Sequence, residues 1–185
     1  GNEGKGVIGI AAHVGAWELL SRICPSQTDL GFFALAKPSK NTGMSKILDE
    51  VRIHNGTSVI WTGQPALTKD MLKVLRQRNI LALVMDQKPR NRVGPTVNFL
   101  GKKTPFVSGP AKMALKTQAE TFTFFCLREG FQKYRLISSH MKNLGDNLVS
   151  RTQNYASEVE RIIRLYPEQW CWNYKRWNFK EKSSR

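Results

Sequence analysis

Short apolar runs bounded by Gly or polar residues alternate in this chain with longer stretches of helical spacing. Gly6 to Ala12 is apolar and brief, which predicts a buried strand. Ala16 to Cys24 places Trp17, Leu20 and Cys24 on one side of a helix. Leu30 to Ala36 reads as a second strand. A helix over Asn41 to His54 follows, with Met44, Ile47, Leu48 and Val51 expected to face inward. Thr57 to Trp61 predicts a third strand. Pro65, at a favoured first helical position, opens a helix through Met71, Leu72 and Leu75 to Arg78. Ile80 to Met85 is the clearest buried strand, and a polar loop, Asp86 to Gly94, follows it. Gly109 to Thr117 reads as a helix. Phe122 to Leu127 and Tyr134 to Ser138 flank Glu129-Gly130 as a late hairpin. Leu148 to Tyr166 is a long helix, apolar at Tyr155, Val159, Ile162 and Tyr166, and Pro167 ends it.

This alternation predicts one α/β domain over residues 1–185, with a largely parallel mixed sheet flanked by helices and a late antiparallel hairpin. A chain of 185 residues buries about 70% of its unfolded surface. No apolar run approaches the ~20 residues needed to span a bilayer. The chain opens at Gly1 without a Met, so a preceding segment, including any membrane anchor, is expected to be missing. Cys24, Cys126 and Cys171 are odd in number and widely spaced, which predicts free, buried thiols and supports neither a disulfide framework nor a zinc site. The net charge of +15 points to anionic partners but does not choose among nucleic acid, an acidic membrane face, a phosphorylated lipid and an acidic protein.

Candidate chemistry gathers at strand ends, where ligands bind in open α/β sheets. In His13-Val-Gly-Ala-Trp-Glu18, His13 ends a strand and Glu18 falls in the first turn of the next helix. On a single helix the two would point about 140° apart, but across a strand-to-helix turn they can meet. Glu18 would then hold one imidazole tautomer and leave the other nitrogen to accept a proton from an alcohol. A satisfied structural pair is the competing account. Asp86, straight after the strongest strand, either positions a substrate, pairs with an Arg, or caps its loop. Arg52 sits on a predicted helix that solvent alone would explain. Gly101 to Gly109 offers backbone donors and cations to an anion. The segment Pro167 to Trp177 interleaves aromatics with Lys175 and Arg176, suiting a membrane interface, stacked bases or simple core packing. His54 and His140 carry no evident partner. The basic tail, Lys180 to Arg185, is expected to be loosely ordered. With no nucleotide fingerprint and no metal-ligand spacing, no cofactor is assigned.

In order, the blocks H-V-G-A-W-E, A-K-P-S-K-N…R, M-D-Q, F-L-G-K-K-T-P-F-V-S-G-P-A and P-E-Q-W-C-W-N-Y-K-R-W span His13 to Trp177. Together they resemble the late acyltransferases of lipid A biosynthesis, the lauroyl and myristoyl transferases, within the lysophospholipid acyltransferase superfamily. The resemblance implies transfer of a fatty acyl chain from acyl carrier protein, or coenzyme A, to a hydroxyl of an anionic glycolipid. It places the enzyme at the cytoplasmic face of the inner membrane, against an anionic leaflet and not on nucleic acid. By position, His13 resembles the general base and Glu18 its orienting carboxylate, while Arg52 and Asp86 match positions that support activity. Gln87 stands where some members have His. Tyr174-Lys175-Arg176 replaces the usual H-R-R, so Arg176 alone is carried over, as a contact to the glycolipid. The chemistry agrees: alcohol attack on a thioester needs a base with a pKa near ~6.5 and an oxyanion site, but no metal.

Overall fold

Six strands form one sheet in the order β3-β2-β4-β1-β7-β8 in the computed structural model, which describes residues 5–38, 42–89 and 93–177. The first of them, β1 (Val7–Ala11), lies between β4 (Ile80–Val84) and β7 (Glu120–Gly130). Next to β4 come β2 (Phe32–Ala36) and then β3 (Thr57–Trp61) at the edge. These five strands are parallel. Only β8 (Lys133–His140), returning from β7 as a hairpin, is antiparallel. The α/β architecture with a largely parallel sheet, helical cover and late hairpin therefore stands as the strand-helix alternation implies.

Side-chain period two gives the sheet two unlike faces. On one, Ile8, Ile10, Leu81, Leu83 and Phe125 are almost fully buried. They pack under α3 (Leu67–Arg76), α4 (Gly109–Thr117) and α5 (Leu148–Leu165), which contribute Leu75, Ala114, Tyr155, Val159 and Ile162. Each such side chain stabilises the fold by about 1.5–3 kcal/mol on burial. The Tyr155 hydroxyl, which a dry core would penalise, meets Thr121 Oγ1 at 3.1 Å. The other face carries small residues in register: Gly9 opposite Ala82, with Ala11, Ala34 and Ala36 beside them. Its cover is thin, made of the turns after β1 and α2 (Thr42–His54).

Three elements depart from expectation. The helix predicted over Ala16 to Cys24 is a 3-10 turn (Trp17–Leu19), one α turn, α1 (Leu20–Ile23), and a second 3-10 turn (Pro25–Gln27). Pro25 supplies no N–H to extend the helix, and the Ser21 hydroxyl donates to the Glu18 carbonyl at 2.6 Å. On α2 most of the apolar stripe faces outward, with Ile47 58% and Val51 51% exposed, while Arg52 is turned inward onto Glu18. The Gly101 loop is part of a separate hairpin, β5 (Thr96–Phe99) and β6 (Lys102–Pro105). Its two-residue turn has positive φ at Leu100 (51°) and Gly101 (76°), the twist that favours tight hairpins. Val97 and Phe99 alternate with exposed Thr96 and Asn98, a period-two signal short enough to pass for loop. The tail, Lys180 to Arg185, lies outside the described residues.

Candidate active site

The parallel register builds the centre. Ala11 pairs with Val84, so two residues later His13 stands opposite Asp86, both just beyond the carboxyl ends of central strands. His13 Nδ1 lies 2.7 Å from Asp86 Oδ1, and the His13 backbone N–H donates to the same oxygen at 3.2 Å. The Trp170 indole N–H donates to Asp86 Oδ2 at 2.8 Å. The carboxylate is buried. Burial alone would raise its pKa, but the ring hydrogen bond and charge of His13, the Trp170 indole and the His13 backbone N–H outweigh it. The carboxyl lies below its ordinary range. An ionised carboxylate only accepts, so Nδ1 carries a ring proton, and in the neutral imidazole the lone pair is on Nε2. Gln87 Nε2 approaches that lone pair at 3.4 Å. The Trp17 ring meets the imidazole edge-on, with centroids 5.2 Å apart.

Two further ties hold this turn. Gly15 has φ +62°, and a Cβ there would run into the Cys126 carbonyl oxygen, so only glycine lets the chain pass β7 so closely. Gly15 N–H donates to the Gln169 carbonyl at 2.8 Å, and Cys171 N–H donates to the His13 carbonyl at 3.1 Å. The segment 169–171 thereby braces the His13 turn from outside the sheet.

Beside the centre, the small-residue face opens as a narrow apolar groove of about 80 Å³, lined among others by Ala11, Phe32, Ala34, Ala82, Phe124 and Trp17. Glu18 and Arg52 share its lining. One terminal nitrogen of Arg52 lies 2.8 and 2.9 Å from the two Glu18 oxygens. Arg52 is largely shielded while Glu18 is half exposed. The sheet thus presents a poised imidazole next to an apolar slot with one ion pair in its wall.

Residues 1–179 of the chain match the bacterial lipid A biosynthesis acyltransferase family. The chain belongs to that family. It is also similar to phosphatidylinositol mannoside acyltransferase of Mycolicibacterium smegmatis, 25% identical over 175 residues. That match takes in 94% of this chain but 57% of the relative, so the chain spans little more than half the relative's length.

Within this lipid A acyltransferase-family fold, the residues expected at the site separate into two groups. His13 and Asp86 come together directly. Glu18 and Arg52 come together as their own pair, and the carboxylate on the His13 ring is Asp86, where the spacing pointed to Glu18. The reason is the break after β1: Glu18 leaves on a 3-10 turn toward the groove instead of folding back on the imidazole. Arg176 is not a surface contact. It is 4% exposed, donates to the Asp86 carbonyl at 2.8 Å and the Pro105 carbonyl at 3.2 Å, and lies 4.7 Å over the Phe106 ring. Burial draws its pKa down to about 10 against the opposing pull of Asp86 and Tyr174. Both terminal nitrogens are spent on backbone carbonyls, so Arg176 anchors the Asp86 loop.

Trp170 was not singled out individually from the sequence, although its indole orients Asp86. A buried tryptophan in an aromatic run carries no mark of which polar group it will meet. His140, expected to be unpartnered, pairs with Glu120 at 2.6 Å and stacks on Phe122. Cys24 and Cys126 are buried, and burial pushes the Cys24 thiol up to about 11 and raises Cys126 too, which disarms both as nucleophiles. Cys171 is half-buried. Among the described residues, no three His, Cys, Asp or Glu side chains gather as metal ligands.

Proposed function

We propose that this chain transfers a fatty acyl group from a thioester to a hydroxyl of an anionic, membrane-held glycolipid, with His13 as general base. The observation that carries the reading is the buried Asp86 on His13 Nδ1, which in the neutral imidazole assigns the lone pair to Nε2, beside an apolar groove. His13 Nε2 takes the proton of the acceptor hydroxyl as its oxygen attacks the thioester carbonyl. The tetrahedral intermediate collapses with loss of the thiolate, which recovers the proton from His13. The Gln87 amide, already next to Nε2, is a donor for the acceptor hydroxyl or the developing oxyanion. The acyl chain lies against Ala11, Ala34, Ala82 and Phe32, where small side chains leave room for it. The Glu18–Arg52 pair, in the wall of that groove, positions the head of one substrate, and Asp86 takes the orienting role first expected of Glu18.

The donor is acyl carrier protein or coenzyme A, both of them anionic thioester carriers that suit a chain of charge +15. The acceptor is a lipid A precursor, met at the cytoplasmic face of the inner membrane. A mannosylated phosphatidylinositol is the second reading, favoured by the name of the mycobacterial relative. The test incubates the purified chain with acyl carrier protein or coenzyme A thioesters and each acceptor in mixed micelles, and follows the acylated lipid by mass spectrometry. Transfer to one acceptor, cut about 10²–10⁴-fold in a folded His13→Ala variant, supports the assignment. Undiminished transfer by His13→Ala overturns it.

A further inference from the structure

The hairpin joining β7 to β8 runs well past the rest of the sheet. Gly15 pairs with Cys126, so Gly130, four residues on, stands about 13 Å beyond the level of the His13 turn at ~3.3 Å per residue. The strands are parallel up to this point, so the hairpin end projects from the same side of the molecule on which His13 and Asp86 lie. At its tip Phe131 is 90% exposed. Arg128, Lys133 and Arg135 surround it against a single carboxylate, Glu129, which leaves three cations minus one anion, or +2, on residues 128–135.

The cations are held among amphipathic rings. The Arg128 guanidinium lies 5.5 Å over Tyr134, and that of Arg135 lies 6.0 Å over Tyr166. Gln169 ties the next segment to the tip by accepting from Arg128 N–H at 2.9 Å and donating to its carbonyl at 3.1 Å. Three residues along, Trp172 is 59% exposed. An exposed Phe on such a tip suits a bilayer, its ring entering the acyl boundary while Arg, Lys, Tyr and Trp stay at headgroup level.

We infer that the β7–β8 tip is the point at which this protein docks on an anionic leaflet, with Phe131 inserted and Arg128, Lys133 and Arg135 on the lipid phosphates. The inference rests on the proposed lipid acceptor. Docking by the tip turns the carboxyl ends of the strands, and with them His13, toward the surface where that acceptor resides. The +2 charge around the tip matches acidic headgroups. None of the tip residues enters the catalytic centre, so docking and chemistry are separable by mutation.

The experiment compares the full 185-residue chain with Phe131→Ala and with Lys133→Gln/Arg135→Gln. Each is sedimented with vesicles of phosphatidylglycerol and phosphatidylcholine, or of phosphatidylcholine alone, at low and high salt. Phe131→Ala should weaken partition into anionic vesicles roughly tenfold, from the apolar area a partly inserted Phe loses, at either salt. The double charge variant should lose about tenfold at low salt and little at high salt. In parallel, transfer is assayed in mixed micelles, where Phe131→Ala should match the wild type. Wild-type binding to anionic vesicles that is indifferent to Phe131→Ala overturns the docking assignment. Unchanged vesicle binding with a raised KM for the carrier thioester assigns the tip to the acidic carrier protein instead, and also overturns it. Absence of transfer by the wild type in micelles, with Phe131-dependent vesicle binding intact, refutes the enzymatic reading and leaves the docking surface standing.

Discussion

Asp86→Asn separates a carboxylate that sets the His13 tautomer from one that merely fills a loop. Asp86 receives three hydrogen bonds: from His13 Nδ1 at 2.7 Å and His13 N at 3.2 Å on one oxygen, and from Trp170 Nε1 at 2.8 Å on the other. An amide has one accepting end. If its oxygen stays on Trp170, the NH2 group faces two His13 nitrogens. The ring must then present a lone pair at Nδ1 and move its proton to Nε2, which abolishes the base. If the oxygen faces His13, two N–H donors oppose each other at Trp170, at a cost of about 1–3 kcal/mol for the buried group left unmade. Loss of the correct tautomer should lower kcat by roughly 10³–10⁴-fold, or about 4–5.5 kcal/mol of barrier, with KM little changed. The assay is steady-state acyl transfer in micelles, with thermal melting to verify the fold. Glu18→Gln is the control. It should disturb substrate affinity through Arg52 more than turnover. A folded Asp86→Asn protein within tenfold of wild-type kcat, beside a Glu18→Gln protein that is dead, would return the orienting role to Glu18.

Arg176→Lys cannot reach both the Asp86 and Pro105 carbonyls while covering Phe106. It should lower stability by about 1–3 kcal/mol in denaturant melts and leave the acceptor KM unchanged, whereas a selective rise in that KM would place Arg176 on the substrate. Gly15→Ala forces a Cβ against the Cys126 carbonyl at φ +62°. A loss of about 1–3 kcal/mol with reduced activity is expected, and a neutral result would mean the His13 turn is not fixed by this passage. In acid, the depressed Asp86 pKa sets the sign. Its stabilisation is complete above the unfolded value near ~3.9 and fades as pH falls through the lower folded value. The wild-type Tm should therefore fall more steeply than that of Asp86→Asn below about pH 4, and parallel slopes would contradict the hydrogen-bonded, ionised carboxylate.

The parallel strands of the six-stranded sheet are readable because they contain apolar runs with clear edges: Thr57–Trp61 is met residue for residue, and Ile80–Met85 within one. The pairing of His13 with Asp86 was half readable. Both residues end strands in the sequence pattern, but their meeting depends on the order β4-β1, which pairs strands separated by more than seventy residues. Local spacing favours the nearer carboxylate, and Glu18 is five residues away. Arg176 misled for a related reason. A cation among aromatics has the same pattern whether the rings cover it, as Phe99 and Phe106 do, or solvent does. The stripe Ile47 and Val51 had proper amphipathic spacing, yet periodicity states only that a helix has two sides. The side that turns inward carries Arg52, which meets Glu18.

The central position of β1 bears on how the chain assembles. Strand β1 is flanked by β4 and by β7, whose residues follow it by more than seventy and more than one hundred positions. Until then β1 has two open edges and nothing to bury Ile8 and Ile10 against. Contacts of such sequence separation slow folding and expose the nascent chain to aggregation. The last group of the centre to arrive is Trp170, nearly at the end of the described chain. Any truncated product that stops short of it carries His13 and Asp86 without the indole that orients them. Incomplete chains should therefore be inert as well as unstable.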